Sequence, residues 1–104
     1  MAASDRRTQE RRLFCNEVDV VGYGVRRSSD LSTGGIFLES MAPFVVHSLV
    51  DLRFKLRDTD EAPIAVKARV LYEAPGVGFG FEFVDLASED RERIRRELNR
   101  LPAG

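Results

Sequence analysis

Tryptophan is missing from this chain, and only one cysteine and one histidine occur among its 104 residues. A lone Cys15 cannot close an internal disulfide, and it reads as a small buried hydrophobe rather than a nucleophile. His47 has no second histidine and no cysteine partner to complete a conventional zinc set, so it reads as a loop residue. With no constellation of histidine, cysteine and carboxylate, an enzyme is the least favoured class, and neither a metal nor a cofactor is expected. No apolar run is long enough for a signal peptide or a membrane span, which makes a reducing cytoplasm the expected compartment. An excess of charge is lacking too. Sixteen Lys plus Arg against seventeen Asp plus Glu leave a formal net charge of -1, so the molecule has no overall field for duplex DNA or an anionic membrane. Any anion site must be local.

What is present is a hydrophobic content of 43%, enough for one compact core in a chain of 104 residues and too little length for two. Residues 1–16 contribute little to it. Their run Asp5-Arg6-Arg7-Thr8-Gln9-Glu10-Arg11-Arg12 has hardly an apolar side chain before Leu13, and a flexible, arginine-rich arm is expected there. Val18, Val20 and Val21 then predict a strand over 17–23 that ends at Gly22 and Gly24, and a second strand runs back over 25–29. Residues 49–56 alternate with period two, placing Leu52, Phe54 and Leu56 on one face and Asp51, Arg53 and Lys55 on the other. Residues 64–72 alternate again, with Lys67 and Arg69 outward.

Gly76, Gly78 and Gly80 do not make a phosphate loop. The dinucleotide fingerprint needs a third glycine where Phe81 stands, and a helix immediately after it. Phe79, Phe81 and Phe83 instead share one face, which predicts a core strand with glycines opposite. At Ser88 the period changes: Ser88 is the expected N-cap, Glu89 and Asp90 favour the first turn, and Ile94, Leu98 and Leu101 recur on one stripe. The expectation is six antiparallel strands closed by one helix over 88–101, a small barrel.

One stretch is organised differently. Asp30-Leu31-Ser32-Thr33-Gly34-Gly35 leads into the strand formers Ile36, Phe37 and Leu38, so a turn feeds a third strand over 35–40. In extended backbone Asp30 and Ser32 point to one side, where a carboxylate and a hydroxyl can hold one polar object. Gly35 leaves the backbone bare for positive φ or the close approach of a ligand. Taken alone, such a run is more often an ordinary turn held by side-chain to backbone hydrogen bonds.

In combination, these pieces resemble the PilZ domain family, small bacterial β-barrels that bind the second messenger cyclic di-GMP. The resemblance runs from the arginine arm to the closing helix. It is carried by Asp30-x-Ser32-x-x-Gly35 at the start of a strand, by the strand Gly78-Phe79-Gly80-Phe81-Glu82-Phe83, and by Asp90-Arg91 at the opening of the helix. It implies a mainly β, six-stranded antiparallel barrel over 17–104 with an arm over 1–16. The family's second motif, Arg-x-x-x-Arg before the first strand, fits in two frames: Arg7 with Arg11, or Arg12 with Asn16 replacing the second arginine. Both frames stay open on the sequence.

The ligand residues implied by the resemblance are Arg7, Arg11, Arg12, Asp30, Ser32, Gly34 and Gly35. Their chemistry suits a cyclic dinucleotide, because a guanidinium can stack on a purine, fork onto guanine O6 and N7, or pair with a phosphate. A carboxylate can accept from guanine N1 and N2. Two functions follow. One is a cyclic di-GMP receptor that orders its arm over the barrel and signals to a protein partner of motility, secretion or signalling machinery. The other is a degenerate adaptor of the same fold that works through protein contacts without nucleotide, which Asn16 and the short 17–30 connection favour. A barrel for single-stranded nucleic acid would need exposed aromatics on a basic face; here the phenylalanines read as internal, so no DNA partner is expected.

Overall fold

The computed structural model describes residues 11–41, 43–57 and 62–101. In chain order the strands are β1 (Arg12–Leu13), β2 (Glu17–Val20), β3 (Gly24–Leu31), β4 (Gly35–Glu39), β5 (Leu49–Phe54), β6 (Ile64–Ala74) and β7 (Gly78–Val84), followed by helix α1 (Ser88–Leu98). Every pairing is antiparallel. The sheet runs β3-β2-β5-β6-β7-β4, and β4 pairs back onto β3, so six strands close into the expected barrel. β1 adds two residues beside the far end of β3, where Arg12 faces Leu31 and Leu13 faces Asp30.

Period-two patterning builds the interior. Val18, Val20, Leu52, Phe54, Val66, Ala68 and Val70 of β2, β5 and β6 point inward, while the residues that alternate with them face outward. Phe79 and Phe81 of β7 are 2% and 3% exposed, as the shared face of the phenylalanines predicts. The outward positions form charge pairs across strands: Glu17 opposite Arg27, Asp19 opposite Arg53, Asp51 opposite Lys67 and Arg69 opposite Glu82. Opposite charges at facing positions stabilise the register.

The two ends of the barrel are closed differently. At one end the connection after β4 drops Phe44 into the opening, with its ring 5.0 Å from Tyr23, 5.3 Å from Phe79 and 5.5 Å from Phe81. At the other end lies α1, which buries Ile94 and Leu98. That helix is tied to the β5–β6 connection by Arg57 to Glu97 (2.8 Å) and by Arg93 to the Ala62 carbonyl (2.7 Å).

Five local expectations change. The helix expected over 88–101 ends at Leu98, and Leu101 packs partly buried against the core beyond it. Ser88 is the first helical residue rather than the cap; Ala87 holds the cap position with extended backbone and no side-chain hydrogen bond. Asp30 and Leu31 belong to β3 rather than to the turn, because β4 pairs with β3 up to Leu31. Cys15 is exposed, since Phe14 takes the inward position and its neighbours must then face out. Finally, the arm expected over 1–16 is described only from Arg11 onward, and this root is fixed to the barrel. Phe14 is 5% exposed, with its ring 6.2 Å from Phe54 in an edge contact. The buried Ser28 hydroxyl donates to the Phe14 carbonyl (2.5 Å) and accepts from the Asn16 N–H (3.0 Å).

Candidate functional site

The Asp-x-Ser-x-x-Gly stretch forms the hairpin between β3 and β4, at the barrel end that α1 covers. Inside this hairpin the short side chain of Ser32 serves the backbone. Its Oγ accepts from the N–H groups of Gly34 and Gly35, each at 3.1 Å, and the Ser32 N–H donates to the Gly35 carbonyl at 2.9 Å. Ser32 is accordingly 5% exposed and Thr33 8%. The tip is held from two more sides. The Phe83 N–H of β7 donates to the Gly34 carbonyl at 2.9 Å, and Arg91 of α1 donates from Nη1 to the Thr33 carbonyl at 3.4 Å.

Gly35 is bare for a reason the sequence did not supply. A Cβ there would lie 2.1 Å from the Phe81 carbonyl oxygen of the neighbouring strand. The close approach is that of β7, and the glycine lets β4 complete the closed sheet.

Asp30 stands apart from this turn. A register shift between Ser28 and Asp30 marks a bulge in β3, and Ser28 and Leu31 are both fully buried, so the two residues between them share the outer side. There the Asp30 carboxylate meets the arm root: Arg11 Nη1 lies 2.7 Å from Asp30 Oδ1, with side-chain exposures of 49% and 26%. The pairing of β1 explains the choice of arginine. Arg12 faces Leu31 across the ladder and so sits on the other side from Leu13 and Asp30, half-buried.

Of the residues singled out by sequence, Arg11 and Asp30 are in contact. Ser32, Gly34 and Gly35 build the adjoining turn, Arg12 is turned to the opposite side, and Arg7 lies outside the described residues. Asn16, which fills the second arginine position of one frame, is occupied: its amide donates to the Lys55 carbonyl (2.8 Å) and its Oδ1 accepts from the Glu17 N–H (2.9 Å). Arg91 is the residue that sequence reasoning did not place at this turn. Its nearness follows from the pairing of β7 with β4, and no local signal carries that. Among the described residues no group of histidine, cysteine and carboxylates could hold a metal ion, and no helix is long and apolar enough to cross a membrane.

Comparison with known proteins agrees with this architecture. A family model described as the PilZ domain matches residues 5–100. The solved structure of the Bacillus subtilis inhibitor of motility (MotI/DgrA) superposes with a TM-score of 0.78 at 19% sequence identity, covering 91% of this chain and 50% of that one. At that identity the likeness is one of fold, and the chain spans about half the length of that protein. No curated protein matches the chain.

Proposed function

The chain belongs to the PilZ domain family, and from that premise we propose that it is a receptor for cyclic di-GMP, read by Arg11 and Asp30 beside the Ser32–Gly35 turn. The observation that carries the proposal is the 2.7 Å contact between Arg11 and Asp30. It brings one residue from each of the family's two motifs to the same place, and it favours the frame of Arg7 with Arg11 over that of Arg12 with Asn16. In this reading Asp30 accepts from guanine N1 and N2, while Arg11 leaves the carboxylate to stack on or fork onto the ligand. The exchange is inexpensive, because an exposed ion pair contributes only about 0–1 kcal/mol, whereas a bidentate arginine to guanine contact is worth about 1–3 kcal/mol. The dinucleotide holds the N-terminal arm against the β3–β4 turn, and the covered surface becomes legible to a protein partner.

The family is one of non-catalytic receptors, so binding is the activity to measure. Calorimetric titration with cyclic di-GMP should give saturable binding, with Asp30→Ala and Arg11→Ala each weakening it roughly ten- to a hundredfold, the equivalent of one good contact. Arg7→Ala should weaken it similarly and Arg12→Ala should change it little. A wild-type protein that releases no heat and does not compete for labelled dinucleotide overturns the proposal.

That result would select the second reading, a degenerate adaptor of the same fold. Its support is Asn16, whose side chain is committed to Lys55 and Glu17. Under either reading the compartment is the cytoplasm and the partner is a protein, with motility a reasonable first place to look given the name of the similar Bacillus protein.

A further inference from the structure

We propose that Arg91, from the first turns of α1, is a further ligand-contacting residue of the dinucleotide site, supplying the positive charge that Arg11 and Asp30 together lack; this rests on the receptor reading above. The ligand carries two phosphates and is a dianion. Arg11 and Asp30 sum to no net charge, Arg7 of the proposed frame brings one positive charge, and the Ser32–Gly35 turn adds none. A further cation is needed to match the two charges of the ligand. Arg91 is where one is available. It donates one N–H to the Thr33 carbonyl at the tip of the β3–β4 turn, and a guanidinium has five such donors.

Three nearby arginines are committed elsewhere. Arg93 pairs with Asp90, Arg95 with Glu92, and Arg100 with Glu97. Arg91 is exposed and has no carboxylate partner among the described residues. Position is the second argument. Ile94, one turn on, is 0% exposed and Leu98 is 9% exposed, so Arg91 projects from an element locked into the core. A guanidinium held on a packed helix requires less ordering than one on the arm. The Thr33 contact uses one donor of the exposed guanidinium, and the remaining donors suit a phosphate or a guanine edge.

The test is titration with cyclic di-GMP of the wild type, Arg91→Ala, Arg91→Lys and Arg95→Ala, each with a melting temperature. The expected result is a roughly ten- to a hundredfold loss for Arg91→Ala and no rescue by Arg91→Lys, which can still donate to Thr33 but offers neither a fork nor a flat face. Arg95→Ala should bind as the wild type does. The affinity of the wild type should also fall more steeply with salt than that of Arg91→Ala. Two results overturn the inference while the receptor reading stands: Arg91→Ala binding as tightly as the wild type, or full rescue by Arg91→Lys, which would reduce Arg91 to a prop for the turn. If Arg91→Ala does not fold, Arg91→Gln replaces it, with the same loss expected and wild-type affinity as the overturning result. A wild type that binds no dinucleotide sinks the receptor reading itself, and this inference with it.

Discussion

At the turn between β3 and β4, single residues separate what builds the site from what would touch a ligand. Ser32 accepts two backbone N–H groups while 5% exposed, so Ser32→Ala leaves both without their acceptor. The expected loss is about 1–3 kcal/mol of stability in chemical denaturation, with or without ligand. Gly35→Ala forces a methyl group onto a backbone carbonyl of β7 and should cost at least about 1–3 kcal/mol, because the strand cannot yield as a side chain could. If either variant keeps wild-type stability and loses only binding, the turn is not the structural device described here. The sequence showed these residue types in their spacing and both of their uses, as turn and as grip. It could not choose between them, because the choice depends on which strand lies behind Gly35. Asp30 was legible as a carboxylate near a turn; its outward direction was not, since a bulge leaves no local signature.

Elements with unbroken alternation were the most legible. β5 and β6 read directly from Leu52, Phe54, Val66 and Val70, because a half-buried strand writes its burial into every second residue. The arm root was less legible. A single phenylalanine after a charged run gives no period, yet Phe14 anchors β1 beside Phe54 and thereby brings Arg11 to Asp30. Phe14→Ala should therefore destabilise the fold by about 3–5 kcal/mol. It should also weaken dinucleotide binding beyond that of a variant equally destabilised at the Phe44 end, a comparison that calorimetry and denaturation make together. Equal affinities in the two variants would show that the arm root does not position the arginine. Helix α1 was predicted by its stripe of Ile94, Leu98 and Leu101, but its contact with Thr33 emerges only once the barrel closes.

Among the described residues, facing positions of the strands carry charges of opposite sign, and the full chain sums to -1. Stability should therefore respond little to salt, by less than about 1 kcal/mol between about 0.05 and about 0.5 M, since exposed pairs contribute little and are screened together. Binding of a dianion beside Arg11 and Arg91 should weaken over the same range. Denaturation midpoints and titrations at matched ionic strengths check both, and a barrel that unfolds readily at high salt would contradict the pairing scheme. Closure also removes the free strand edges on which sheets aggregate, and it depends on the non-local pairings β2–β5 and β4–β7, so folding in milliseconds to seconds is expected.

Cys15 has a practical meaning apart from any of these energies. It is the chain's sole thiol, it is exposed, and it follows the buried Phe14 at the junction of arm and barrel. A maleimide dye thus attaches at one known point without mutagenesis, on backbone that the barrel holds still. With no tryptophan in the chain, excitation and quenching at that dye are free of indole background. The native protein is already suited to reporting, one molecule at a time, on the surroundings of the Arg11–Asp30 pair.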